Sequence, residues 1–150
     1  MKKVVIYTDG ACSGNPGAGG YCAILSYNGA EKIISGAEEQ TTNNRMELLA
    51  VIVALKALKE KCEVDVYSDS QYVVDAFNQN WILSWQMNGW RTANKKDVKN
   101  VDLWKELLDL TSEHKVNFIK VKGHSDNENN NRCDKIAVSE YKKLQSNEQN

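Results

Sequence analysis

The stretch VVIYTDGACSGNPGAGG, residues 4–20, opens as a buried strand would and closes in a cluster of turn residues. Val4, Val5, Ile6 and Tyr7 are β-branched or aromatic, whereas Gly10, Gly14, Asn15, Pro16 and Gly17 favour tight turns. Asp9 is therefore expected at a strand's exit, facing a loop. Next, GYCAILSYNG and AEKIISGAEE alternate or run apolar around Asn28-Gly29, a dipeptide that favours a two-residue hairpin turn. Three antiparallel strands in succession are the simplest reading.

Downstream, TTNNRMELLAVIVALKALKEK (41–61) is apolar on nearly every face through its first turns, with Lys56, Lys59, Glu60 and Lys61 crowding its end. That is the pattern of a core helix with a solvated tail. EVDVYSD reads as a strand, SQYVVDAFNQ as a short helix, and the span from Trp81 to Asn100 as irregular. VDLWKELLDLTSE has helical spacing through Leu103, Leu107 and Leu110, KVNFIKVKG is a fifth strand, and NRCDKIAVSEYKKL a last helix. Strands alternating with helices after a meander predict an α/β fold: a five-stranded mixed sheet, three antiparallel strands and then parallel ones, flanked by helices. One domain is expected over residues 1–143, with 144–150 a disordered tail.

A chain of 150 residues buries roughly 70% of its unfolded surface and folds without a disulfide or metal staple. Its 26% charged residues and single proline fit an ordinary globular composition rather than disorder. No apolar run approaches the ~20 residues of a membrane span, and MKKVVIYTDG lacks the features of a secretory signal. A cytoplasmic protein with no membrane partner is expected. Cys12, Cys22, Cys62 and Cys133 form no CxxC pair, and only His114 and His124 could join them, so free thiols are expected rather than zinc. The net charge of −1 gives no global basic field, so any nucleic-acid contact must rest on local patches.

Asp69 repeats the setting of Asp9, because VDVYSD also runs through β-branched and aromatic residues and stops at an aspartate. Ligands of open α/β sheets bind beyond the carboxyl ends of parallel strands, so aspartates on two neighbouring strands would face one site. Glu47 shares a helical stripe with Val51, Ala54 and Leu58, and so puts charge among apolar residues. Asp134 lies near the start of the last helix, ten residues beyond His124. Clustered carboxylates repel unless a cation neutralises them. Hard oxygen ligands without a cysteine or histidine pair suit Mg²⁺ or Mn²⁺, and the spacing is compatible with two ions, as in phosphodiester cleavage. Each residue also has a plainer reading: a turn or cap for Asp9 and Asp69, an ion pair with Arg45 for Glu47, a surface salt bridge or helix-end contact for Asp134.

TDGACSGNPGAGGY, TTNNRMELLA, YSDSQYV, KNVDLW and VKGHSDNENNNRCDKIA resemble, in order and spacing, the type 1 ribonuclease H family of bacteria, over about residues 3 to 142. The resemblance implies a ribonuclease H-like fold and an endonuclease that cuts the RNA strand of RNA–DNA hybrids, leaving 5′-phosphate and 3′-hydroxyl ends. It implies metal ligands at Asp9, Glu47, Asp69 and Asp134, two Mg²⁺ ions in the substrate complex that Mn²⁺ can replace, and an auxiliary histidine at His124 for proton transfer or product release. RNA contacts are implied at Cys12, Asn15, Asn43, Asn44 and Gln71, where 2′-hydroxyls would be sensed across a wide minor groove. DNA contacts are implied at Tyr72, Trp81 and Trp85, and a DNA-phosphate pocket at Thr42 and Asn100. Trp90 and Trp104 are expected to support the core, and a monomer is expected.

Three departures stand out. Gln40 occupies a position where many relatives carry arginine; Gln86, Met87 and Asn88 dilute a stretch that is basic in some; and SDNENNNRCD lacks the proline and glycine common after the histidine. Two other functions compete. A hybrid-binding module without catalysis could dispense with a carboxylate, yet all four are present. A nucleotide-binding enzyme would use the glycine-rich loop as a phosphate cradle, but neither GxGxxG nor GxxxxGKS/T occurs.

Overall fold

Asn28 and Gly29 both take positive φ angles, 49° and 81°, the mirror-image turn whose twist matches that of paired strands. They join the second and third strands of the computed structural model, which describes residues 1–122 and 127–148. The elements run β1 (Lys2–Cys12), β2 (Gly17–Tyr27), β3 (Ala30–Thr41), α1 (Asn43–Lys56), β4 (Cys62–Ser68), α2 (Gln71–Asn78), α3 (Trp81–Met87), α4 (Val101–Ser112), β5 (Lys115–Lys120) and α5 (Glu128–Glu148). Their sheet has the order β3-β2-β1-β4-β5. The first three strands pair antiparallel, while β1–β4 and β4–β5 pair parallel, as the sequence predicts.

Side-chain alternation divides β1 between two cores. Val4 and Ile6 face the larger one, with Leu48, Val51, Ile52 and Leu55 of α1 and Leu103, Trp104 and Leu107 of α4. Tyr7 and Ala11 face a smaller one, with Cys22 and Ile24 of β2 and Cys133 and Ala137 of α5. Asp9 falls between Tyr7 and Ala11 in this alternation and so shares the α5 side. Both layers press onto glycines. A Cβ at Gly10 would stand 2.5 Å from the Met46 carbonyl carbon and the Glu47 nitrogen, and one at Gly20 would collide with the Ala137 carbonyl.

Four local expectations need correction. Asp9 does not sit at a strand's exit: β1 continues to Cys12, because its antiparallel pairing with β2 outlasts its parallel pairing with β4. The span from Trp81 is not irregular throughout, since Trp81–Met87 forms α3, with Ile82 buried and Trp85 packed on the main core. Helix α1 stops at Lys56, although Leu58 still packs on the core. Finally, α5 runs through Glu148, into the stretch expected to be a disordered tail; no glycine or proline breaks it, and Leu144 and Gln145 are half-buried.

Candidate metal centre and adjoining clefts

The sheet itself brings the carboxylates together. The β1–β4 ladder ends at the Tyr7–Tyr67 pair, beyond which the two parallel strands part, and Asp9 and Asp69 each lie two residues past that point. Glu47 reaches the opening from the first turns of α1, whose close approach Gly10 permits. One carboxylate oxygen from each of Asp9, Glu47 and Asp69 lies within 4.8 Å of the others. Glu47 is fixed from both strands: its Oε1 accepts from the Gly10 N–H at 2.8 Å, and Ser68 Oγ donates to its Oε2 at 3.5 Å.

Asp9 and Glu47 are only 5% and 7% exposed. Burial above all, then the adjacent Glu47 carboxylate, holds the Asp9 carboxyl far above the ordinary carboxylate range, with Asp69 and Asp134 adding to the effect. Burial likewise raises Glu47, against the lowering effect of its hydrogen bonds. Among the described residues no lysine or arginine pairs with this cluster. Arg45, the partner that a purely structural Glu47 would use, instead reaches Asp102 of α4 at 3.2 Å and Glu38 of β3 at 3.5 Å. Three converging hard oxygen donors without a protein cation suit a small divalent ion. Asp134, in the second turn of α5, lines the same cleft and raises the pKa of Asp9, but is not one of the three mutually close ligands.

This cleft, about 520 Å³ and open to solvent, brings together most of the expected RNA-contact residues: Cys12, Asn43, Asn44 and Gln71, beside Asp9, Glu47, Asp69, Asp134 and Tyr72. Asn15 is not in its wall, but its Oδ1 accepts from the Asn43 N–H at 3.3 Å, tying the glycine-rich loop to α1. Asn44 and Tyr72 also line a second cleft with Trp85, Thr92, Lys96, Val98 and Lys99. The carboxylates and the basic residues after α3 thus lie along one continuous surface. Trp81, 36% exposed, flanks Trp85 at 6.5 Å between ring centroids.

Support for that surface is aromatic. The fully buried Trp104 donates its indole N–H to the Tyr72 hydroxyl at 3.0 Å, and Asn100 Nδ2 donates to the same oxygen at 3.4 Å. Trp90 is half-buried against the core, so both tryptophans assigned to support fill that role. Thr42 caps α1, accepting from the Arg45 N–H at 3.2 Å, and Asn100 precedes α4 in the left-handed conformation. Arg45–Asp102 links these two helix starts. His124 lies outside the described residues.

Two residues of the site escape sequence reasoning. Ser68 looks like any polar strand residue. Asn130 sits in the run NENNN, where no local signal separates it from its neighbours, yet it is buried at the split between β1 and β4.

The RNase H family model matches residues 1–142. The chain is 66% identical to a ribonuclease H of Acetivibrio thermocellus over 143 residues, 95% of this chain and 97% of that one. It is 62% identical to a ribonuclease H of Caldicellulosiruptor saccharolyticus over 96% and 99% of the two chains. Among solved structures it resembles LC9-RNase H1, described as a type 1 RNase H with the type 2 active-site motif, with a TM-score of 0.83 and 28% identity over 94% of this chain and 72% of that one. It shares the fold of LC11-RNase H1 in complex with RNA/DNA hybrid, with a TM-score of 0.71 and 24% identity over 94% and 98%.

Proposed function

Because the chain belongs to the ribonuclease H family and is by that kinship a ribonuclease H nuclease, we propose that it hydrolyses the RNA strand of RNA–DNA hybrids with two divalent ions, leaving 5′-phosphate and 3′-hydroxyl ends. The observation that carries this reading is the convergence of Asp9, Glu47 and Asp69 oxygens within 4.8 Å, two of the three side chains being buried. Those residues, with Asp134, would hold Mg²⁺, or Mn²⁺ in its place. When bound, the ions supply Lewis acidity that activates water and stabilises the leaving oxygen.

The chain's own residues do the rest. Gly10 and Ser68 keep Glu47 oriented toward Asp9 and Asp69, so little reorganisation is needed when charge develops. Cys12, Asn15, Asn43, Asn44 and Gln71 present small polar groups suited to 2′-hydroxyls. Tyr72, Trp81 and Trp85 offer apolar ring faces to a deoxyribose strand, and Thr42 and Asn100 offer donors to one of its phosphates. In this reading the protein acts as a cytoplasmic monomer. Among the described residues no helix is long and apolar enough to cross a membrane.

The test is incubation of the protein with end-labelled RNA–DNA hybrid, single-stranded RNA and duplex DNA, with Mg²⁺ and with chelator. Cleavage confined to the RNA of the hybrid, and lost with chelator, is the expected result. An intact hybrid that still binds would make the chain a binding module instead.

His124 assists proton transfer or product release in this scheme. His124→Ala is expected to slow turnover by about 10²-fold or less, the usual contribution of one proton-transferring side chain. A loss as deep as that of a metal ligand would give it a more central task, and an unchanged single-turnover and steady-state rate would remove it from the chemistry.

Substrate affinity is tunable at the end of α3. Gln86 and Asn88 are exposed there, and they follow in sequence Trp85, which lines the second cleft with Lys96 and Lys99. Gln86→Lys with Asn88→Arg is expected to lower KM at moderate salt with little change in kcat, because neither residue lines the carboxylate cleft. If both new charges reach phosphates, the slope of log K against log salt should steepen by up to about two units. An unchanged slope and affinity would place the hybrid backbone elsewhere.

A further inference from the structure

We propose that Asn130 is a positioning residue for the metal centre: its amide bridges the split between β1 and β4 and thereby fixes Asp9, Asp69 and Asp134 relative to one another. The inference rests on the metal-dependent reading of the site. Asn130 is 8% exposed and lies in the first turn of α5, where Asn127 Oδ1 caps its backbone N–H at 3.1 Å. Its Nδ2 donates to the Thr8 carbonyl at 3.2 Å and to the Tyr67 carbonyl at 3.1 Å.

Those two carbonyls belong to strands that have just stopped pairing, the β1–β4 ladder having ended at Tyr7–Tyr67. Thr8 immediately precedes Asp9, and Tyr67 stands two residues before Asp69. A single side chain with two N–H groups therefore holds the strand ends at the width the carboxylates require. Only the nitrogen of an amide can face two carbonyls, so the direction of the group is fixed, and Oδ1 has no partner among the described residues. Asn130 also lines a cavity of about 80 Å³ whose walls include Asp9, Asp69, Lys122 and Asp134. That space is ample for water.

Helix geometry carries the constraint further. Asp134 follows Asn130 by four residues, one turn along the same face of α5, so anchoring the amide also sets the depth at which Asp134 enters the site. No other described side chain hydrogen-bonds backbone of both β1 and β4 in this way. Outer residues that hold metal ligands in place alter affinity or activity without touching substrate.

The experiment compares wild type with Asn130→Leu, which keeps the heavy-atom branching of the side chain and loses both donors. Mn²⁺ binding without nucleic acid is measured by calorimetry, and hybrid cleavage is measured well below both melting temperatures. The expected result is Mn²⁺ affinity weakened by about 10-fold or more and kcat reduced by about 10- to 100-fold, with KM for the hybrid unchanged and partial recovery at high Mg²⁺. Unchanged Mn²⁺ affinity and kcat, with only a lower Tm, would overturn the proposal and leave Asn130 a purely structural residue. A raised KM with unchanged metal binding would also overturn it, by making Asn130 a substrate contact. Should the variant not fold, nitrogen-labelled wild type suffices: the Asn130 side-chain amide protons must be protected from exchange and must shift on adding Mg²⁺, and rapid exchange or an unmoved signal refutes the bridge. If wild type binds Mn²⁺ but does not cut hybrid, the proposed activity fails while the calorimetric comparison still decides the role of Asn130.

Discussion

Asp9→Asn is expected to abolish cleavage in the Mg²⁺ assay, a fall of at least about 10³-fold, since in the proposed metal-dependent reaction losing a ligand that orders a divalent ion forfeits several kcal/mol of transition-state stabilisation. Asn keeps the volume of the side chain, so the fold is retained. Stability moves the other way. The Asp9 carboxyl is held well above its ordinary range by burial and by Glu47. Such a group stabilises the native state while protonated and loses that contribution as pH climbs from about 4 toward its native value. In chelator, wild type therefore weakens as pH rises, while the variant, with one fewer ionising group, is spared part of the decline. At pH 8 without metal the variant should be the more stable by at least about 1 kcal/mol, which is what a roughly tenfold change in the affinity for one proton is worth, and near pH 4 the difference should vanish. Added Mg²⁺ stabilises wild type more than the variant and narrows or reverses the gap. Thermal melts across pH, with chelator and with Mg²⁺, test the stability arm. Substantial Mg²⁺-dependent turnover by the variant would remove Asp9 from the ligand set.

Gly20→Ala is expected to lose about 3 kcal/mol, the upper part of the ordinary cost of overpacking. One methyl group suffices because the added Cβ would collide with the Ala137 carbonyl, which is backbone of α5 and cannot rotate away. The helix has to shift bodily. For a domain of this size the loss corresponds to a Tm lower by about 6–12 °C. Asp134 lies one turn before Ala137 on the displaced helix, so kcat should fall even at temperatures where the variant is folded. A melting point within a couple of degrees of wild type would show that α5 docks on β2 with slack that the packing does not reveal.

Most of the architecture is legible in the sequence because local residues announce it. The β-branched runs mark the strands, Asn28-Gly29 marks the hairpin, and Glu47 stands out as a charge on an apolar stripe. What stays hidden depends on partners far away in the chain. The strand exit expected at Asp9 is misplaced because β1 has two partners whose ladders end at different residues, which no window of sequence contains. Helix α3 is too short to be stable by propensity and exists by packing Ile82 and Trp85 on the core. The choice of Arg45 for Asp102 and Glu38 over Glu47 is likewise non-local. Asn130 bonds Thr8 across 122 positions, so its burial cannot be told from composition.

All four tryptophans fall between residues 81 and 104, and none belongs to the small core beneath α5. Trp81 and Trp85 lie 6.5 Å apart, and Trp85 lies 5.4 Å from the fully buried Trp104. At such separations an absorbed photon migrates readily among the rings. Emission from the whole cluster should therefore respond when a nucleic acid covers its exposed members, and respond again when the main core opens. Detachment of α5 alone should pass unseen in this signal while still registering in far-ultraviolet circular dichroism. The protein thus carries an intrinsic optical probe confined to one side of its sheet, and any lag between the two spectroscopies on heating would time the release of the other side.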